Sequence, residues 1–414
     1  MLLAPMLASC QAPKNTIAPT QTTPPAPARV QLDDAPTATA ARFELRPSST
    51  PQPPATLPSI AHLASQSGFG AGYGPSNFPK GVNPLTGLQV EDPARLERRP
   101  MVIKITNYPR SVRPQWGLNA ADHVYEYYLE DELTRFIGVF YGNDAGRVGP
   151  IRSARPFDEN IVRAYKGIFA FAYADDRVLN LWLKSDLTPF LVIERPNNCP
   201  PMCRIGPEDE YNTLFTDTRL LSQYITDKGI SNGRQPLDGL RFEEQSLIAA
   251  GGGPASRVEI RFSPMSYHYW SYDPASERYL RWQDGERAGL GQEVYQPLYD
   301  SLDNQQVGAD NLVILFAPVS YFFISHSTEI YDTQLIGRGE GYALRNGRIF
   351  AIQWKRKNPQ DIISLAFPNG EPYPLKPGNI WFEVLSKGAP HQVESPTWRF
   401  EYILPPTPTP TPRR

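Results

Sequence analysis

The chain has 414 residues, with 41 basic and 43 acidic side chains for a net charge of −2, and it carries 44 prolines. So even a balance gathers no polyanion, which argues against nucleic acid as a partner. The length suits two cores, but the proline content is too high for one packed fold, so part of the chain is expected to stay unpacked.

In chain order, Met1 to Ser9 is apolar and far too short to cross the ~30 Å hydrocarbon layer, but it suits the end of a signal h-region. It runs into Leu7-Ala8-Ser9-Cys10, a lipobox whose cleavage leaves Cys10 as a lipidated N-terminus. No Lys or Arg precedes this stretch, so a basic n-region is expected upstream. Gln11 to about Ser59 is Pro, Ala, Thr and Ser with few large apolar side chains, too little to offset the entropy of ordering, and reads as a tether.

The folded part begins with Met101–Thr106, an apolar run suited to a buried strand. His123 to Leu129 and Leu133 to Tyr141 flank Glu130-Asp131-Glu132 and read as a hairpin. If that hairpin turns tightly, Tyr128 stands opposite Arg135, and Glu126 and Glu130 share the face of Arg135. Pro156-Phe157-Asp158-Glu159 opens a helix, with proline first, acids at the positive dipole end and Gly167 as the stop. Asp175 to Lys184 and Thr216 to Lys228 read as further helices, and Gly251-Gly252-Gly253-Pro254 as a boundary.

Beyond it the pattern turns to short strands: Val258–Ser263, Tyr267–Tyr272, Arg278–Gln283, Leu312–Ala317, Ile330–Ile336 and Ile380–Leu385. Asn346-Gly347 supplies the positive φ angles of a type I′ hairpin within Tyr342–Phe350. The end, Pro405 to Pro412, is polyproline-like. The expected fold is α+β, with a mixed α/β first domain followed by a mostly antiparallel β second domain. The expected divisions are a signal-peptide remnant at 1–9, a lipid-anchor cysteine and Pro-rich linker at 10–80, an N-terminal α+β domain at 81–250, a C-terminal β-rich domain at 257–388 and a Pro/Thr-rich tail at 389–414.

The chain carries the runs Asn83-Pro84-Leu85-Thr86-Gly87, Arg113-Pro114-Gln115, Ala121-Asp122, Val124-Tyr125-Glu126, Thr134-Arg135-Phe136, Gly149 to Arg155, Gly337 to Tyr342, Trp354-Lys355-Arg356 and Pro377 to Val384. Taken together they resemble the YerB-like family of bacterial lipoproteins. The resemblance spans about Asn83 to Leu385 and implies two adjoining domains behind a lipid-anchor signal; it brings no activity with it. Where that family commonly shows His-Asn, this chain has Tyr211-Asn212, and a second family histidine is missing near Ala170 to Asp176.

Val148 to Pro156 places Arg152 and Arg155 around Ser153. Arginine grips carboxylate or phosphate oxygens two at a time, so the segment can line an anion or peptide-like site. Two roles stay open at this point: Glu126 and Glu130 pair with these arginines and lock the loop, or the arginines hold a ligand together with Arg135 and Asn212. Catalysis is weakly signalled. Ser153 lacks the G-x-S-x-G elbow, the histidines His123, His268, His326 and His391 show no metal spacing, and Gly337-x-Gly339-x-Gly341 runs into a hairpin where a dinucleotide loop would run into a helix. No cofactor or metal is expected. Cys199 and Cys203 suit a small disulfide in an exported protein, with free thiols as the alternative. Tyr267, Tyr269, Trp270, Tyr272, Tyr279 and Trp282 concentrate in one hairpin and suit either cross-strand packing or a face for a glycan or protein.

The expected function is a non-catalytic binding or scaffold module of the cell envelope, extracytoplasmic and held to the membrane by lipidated Cys10, with an envelope anion, a peptidoglycan fragment or a protein as partner. The alternative is an envelope hydrolase or transferase using Glu126 or Glu130, with Arg152 and Arg155 positioning the substrate.

Overall fold

Strands rich in Val, Ile, Tyr and Phe dominate the chain. In this computed structural model, which describes residues 72–206, 211–245, 247, 251–285 and 293–407, they form β1 Met101–Thr106, β2 His123–Tyr128, β3 Thr134–Phe140, β4 Ile168–Phe171, β5 Leu191–Ile193, β6 Met202–Arg204, β7 Leu214–Thr216 and β8 Arg241–Phe242. There follow β9 Gly253–Pro254, β10 Arg257–Arg261, β11 Tyr267–Asp273, β12 Arg278–Asp284, β13 Tyr295–Pro297, β14 Gly308–Ala309, β15 Asn311–Ala317 and β16 Val319–Ile324. The last are β17 Glu329–Thr333, β18 Gly337–Arg345, β19 Arg348–Arg356, β20 Ser364–Ala366, β21 Pro374–Leu375, β22 Ile380–Ser386, β23 His391–Glu394 and β24 Thr397–Glu401. Three α-helices accompany them among the described residues, Asp158–Tyr165, Asp176–Leu183 and Thr218–Asp227, so the chain is mostly β. Every described residue falls within the unit Pro58–Arg414. The expected lipidation at Cys10, the signal remnant 1–9 and most of the tether lie outside the described residues.

The helix ends follow local chemistry. Asp175 accepts from Arg177 N–H and Asp217 from Arg219 and Leu220 N–H, satisfying orphan donors of the first turn. The first helix stops one residue before the expected glycine, because Lys166 takes the left-handed conformation (φ 49°) and its N–H closes on Arg163 and Val162.

An eleven-stranded sheet runs in the order β20-β19-β18-β15-β22-β2-β3-β1-β4-β5, with β9 beside β19, so both halves of the chain contribute to one sheet. Its central seam is β22, parallel to β2 on one side and to β15 on the other. The second half is mostly antiparallel, as expected, and the exceptions are β22 beside β15 and β24, which pairs parallel with β10. β1, β2 and β22 are buried along their whole length, which requires cover on both faces. One face packs on a second sheet, β13-β12-β11-β10-β24-β23 with β14 beside β12, where Trp270 meets Trp381 with ring centroids 5.0 Å apart. The other face is covered by the first two helices through Phe157, Ile161, Val178 and Trp182.

Two chain ends are more ordered than expected. Residues from 391 to 401, placed in the tail, form the β23–β24 hairpin of the second sheet, because Phe400 is buried beside Ile260. Tyr73, placed in the linker, exchanges both backbone hydrogen bonds with Phe242. The type I′ turn holds, with Asn346 and Gly347 at φ 54° and 70°. Gly339 and Gly341 serve close strand packing: a Cβ on either would meet the Trp354 indole at 2.5 Å or the Ile314 carbonyl at 2.3 Å.

Candidate functional site

The β2–β3 register decides where the candidate residues go. Leu129 and Leu133 pair across the turn, so the loop has three residues, Glu130, Asp131 and Glu132, the last two at positive φ. An even, two-residue loop would have set Tyr128 opposite Arg135; the odd one sets Tyr127 there and Phe136 opposite Glu126. A one-residue slip exchanges faces. The expectation that Glu126 shares the Arg135 face is therefore corrected: Glu126 points to the second sheet and Arg135 to the helices.

On the helix side, Lys104 stands in the middle of a fully buried strand. Its Nζ lies 2.9 Å from Asp158 Oδ1 and donates to the Tyr127 hydroxyl, which donates to the same Asp158 oxygen at 2.5 Å. Burial pushes Lys104 down to about 7, against the pull of Asp158. Asp158 also accepts from the Arg155 backbone N–H at 2.8 Å, so a carboxylate already occupies the start of that helix. The Arg155 guanidinium reaches back to the β2–β3 turn and grips both Glu130 oxygens, at 2.9 and 2.8 Å through Nε. Burial alone would raise Glu130, but bonded Arg155 holds it below the usual carboxylate range. Arg135 Nη1 donates to the Ser153 carbonyl at 2.9 Å, so Ser153 contributes its backbone. Burial, then the neighbouring Arg155, push Arg135 down to about 10.

Arg152 differs from these. The segment runs extended, with Arg152 N–H bonded to Lys104 O and Arg152 O to Ala172 N–H, so no turn gathers the two guanidiniums. Its Nε is buried with no hydrogen-bond partner and no ion pair of Arg152 occurs among the described residues. Burial, then Arg204 and Arg155, lower its pKa. Asn212 lies two residues before Leu214, whose carbonyl takes the Ile151 N–H, and its Oδ1 is likewise buried without a donor among the described residues. Lys104, Arg135, Arg152 and Arg155 thus face only Glu130 and Asp158 among the described carboxylates, an excess of positive charge.

On the other face, Glu126 stands directly beside Glu383 of β22, two carboxylates in register. Arg281 of the second sheet lies between them, 2.6 Å from Glu126 and 3.4 Å from Glu383, and its guanidinium lies 4.8 Å from the Trp381 ring centroid. His268 Nε2 is 2.8 Å from Glu383, and Trp270 Nε1 donates to it at 2.9 Å. Asn107 and Thr134 complete Glu126. The chain of bonds runs on through Gln283 to Asp284, which Arg110 and Arg113 clamp. Burial raises Glu383 to about 7 and, with Arg281, lowers His268 to about 3, so the imidazole is neutral and its Nε2 shares a hydrogen bond with the Glu383 carboxyl group.

Glu126, His268 and Glu383 offer ligand atoms within 4.8 Å of one another, a spacing a metal ion could use. Arg281 supplies the positive charge at that place, and all four side chains are at most 1 % exposed. The cluster is a sealed joint between sheets. Glu126 is sealed from solvent in the same way, whereas Glu130, 22 % exposed, is gripped by Arg155. Arg281, Glu383 and His268 were beyond sequence reasoning, since they lie over a hundred residues from Glu126; Lys104 alone carried a signal, a lysine inside an apolar run.

The remaining candidates separate. Cys199 and Cys203 form a disulfide, with Cα atoms 4.8 Å apart. The aromatic hairpin divides by face: Tyr269 stacks on Trp282 outside, while Trp270 and Tyr279 are buried inside. The largest concavity described, about 940 Å³, lies elsewhere and is rimmed by Asp273, Asp303 and Asp310, with Asn83 and Asp122 in its wall. Its groups mostly satisfy one another: Asn83 bonds Asp122 at 2.8 Å, Asn119 bonds Asp303, and Asp310 bonds the Asn379 N–H.

Comparison with known proteins matches residues 85–231 to the family model "Protein of unknown function (DUF3048) N-terminal domain" and residues 258–382 to its C-terminal domain. The chain is 24% identical over 320 residues to "Putative lipoprotein YerB" of Bacillus subtilis (strain 168), covering 75% of this chain and 88% of that one. It is also similar to the crystal structure of YerB protein from Bacillus subtilis, with a TM-score of 0.61 and 23% identity over 73% of this chain and 96% of that chain, a likeness of fold. Among the described residues no helix is long and apolar enough to cross a membrane.

Proposed function

The chain belongs to the DUF3048 family, whose N- and C-terminal domains it carries in order, and from that premise we propose that it is a lipid-anchored, extracytoplasmic envelope protein that binds a ligand without transforming it. The lipobox at Cys10 and the lipoprotein relative support the anchor. In this reading the first region, which holds the three α-helices of the described residues, is an α+β module, and the β-rich second region braces it through β22.

The observation that carries the binding reading is the uncompensated charge at Arg152. Its neighbours Arg135 and Arg155 are tied down, while its own guanidinium has no carboxylate among the described residues, and an anion held there would relieve the repulsion from Arg155 and Arg204. The ligand is then an anionic envelope fragment, such as a muropeptide carboxylate or a phosphate. The hydrolase alternative draws no support from Glu126 and Glu130, which are bound to Arg281 and Arg155.

The test is a thermal-shift screen of the full chain against inorganic phosphate and muropeptides. A binder at 100 times its Kd adds ~2.7 kcal/mol by mass action. Arg152→Ala is expected to abolish that shift and leave the unliganded Tm in place. A shift that survives the substitution, or none with any anion, would remove Arg152 from the function.

A further inference from the structure

We propose that the pocket between the helices Asp158–Tyr165 and Asp176–Leu183 and the β16–β17 hairpin binds a small zwitterion of the amino-acid class. Its volume is about 240 Å³, below the ~300–1,000 Å³ of drug-sized sites, so the occupant is small. Two charged groups in its lining have hydrogen-bond partners but, among the described residues, no counter-ion.

Arg356 is 2 % exposed and bonds only neutral acceptors, the Asn160 Oδ1 at 3.1 Å and the carbonyls of Asp361, Leu335 and Pro359. A buried guanidinium ordinarily has a counter-ion, and none of the described carboxylates pairs with this one. Asp332 is the reverse: it accepts from Gln334 Nε2 at 2.5 Å but pairs with no cation among the described residues. The nearby Arg163 is already taken by Glu159 and Asp186.

Val178, Leu181 and Phe322 form an apolar wall, and Leu181, 51 % exposed, stands at its rim. A lone anion would give Arg356 a counter-ion and leave Asp332 repelled; a lone cation would do the opposite. A carboxylate and an ammonium on one small body with an apolar side chain answer both charges. The pocket collects residues from both family domains, so it exists only when β16–β17 sits over the helices. It shares no residue with the Arg152 surface, and the two stand or fall separately.

The experiment is calorimetric titration of the full chain with leucine in both enantiomers, isoamylamine, which lacks the carboxylate, and 4-methylpentanoate, which lacks the ammonium. Leucine of one hand is expected to bind, with each half-analogue at least 10-fold weaker. Asp332→Asn, a mild change on the hairpin, should weaken leucine at least 10-fold with an unchanged unliganded Tm. Absence of leucine binding at millimolar concentration, half-analogues as tight as leucine, or undiminished binding by Asp332→Asn would each overturn the proposal.

Discussion

The two faces of the large sheet bury charge in opposite ways. Toward the second sheet, Glu126 and Glu383 share Arg281, and His268, Trp270, Asn107 and Thr134 add hydrogen bonds, with Glu383 Oε2 and His268 Nδ1 left without one among the described residues. Toward the helices, Lys104, Arg135, Arg152 and Arg155 outnumber Glu130 and Asp158 among the described residues, and Arg152 has no ion pair among them. The first arrangement is closed to solvent and nearly self-sufficient, which is what holding two sheets in register needs. The second is partly open and carries a surplus of positive charge among the described residues. The difference teaches that the presence of charged residues does not mark a site; the surplus after pairing does.

The largest effect should come from breaking the closed side. Arg281→Met strands two adjacent buried carboxylates and is expected to cost ~3–5 kcal/mol in chemical denaturation, as broken buried pairs do. A loss below ~1 kcal/mol would mean that the carboxylates simply take up protons and that the joint is not ionic.

A smaller effect tests the open side through pH. The folded pKa of Lys104, about 7, is depressed below its unfolded value of ~10.4, so between those limits the unfolded chain binds more protons and stability rises with pH. Below about pH 7 the ammonium is buried at full cost. Wild type should therefore gain stability relative to Lys104→Met from pH 7 to about pH 9.5, before tyrosines with raised pKa, such as Tyr125, begin to oppose it. A difference that stays flat over that window would place the positive charge of Lys104 in solvent-like surroundings.

The smallest effect separates neighbours within one segment. Arg155→Ala removes a partly buried two-oxygen grip on Glu130 and should cost ~1–2 kcal/mol, whereas Arg152→Ala should change unliganded stability by less than ~0.5 kcal/mol. Equal losses would erase the contrast and return Arg152 to a structural role.

Much of the local structure was legible. The strand at Met101–Thr106, the three helices with Asp175 and Asp217 at their starts, and the Asn346-Gly347 turn follow from periodicity and from residues whose backbone preference is strong over a few positions. The β2–β3 hairpin was legible as a hairpin but not in its register. A three-residue loop and a two-residue loop both suit Glu130-Asp131-Glu132, and that single residue of difference moved Glu126 to the other face. The β23–β24 hairpin around Phe400 was hidden for another reason: a short run after proline-rich punctuation carries no sign that a parallel partner, β10, waits 140 residues earlier.

What the sequence determined by itself was the short-range elements and the collection of charged residues available for a site, because each depends on neighbours in the chain. What only the tertiary structure decided was which charges cancel. Arg281 reaches Glu126 across 155 positions, and Trp182, Asp332 and Arg356 come together from three separate segments. Charge balance in a buried place is a property of distances in space, and one inserted turn residue or one parallel strand pairing is enough to redistribute it.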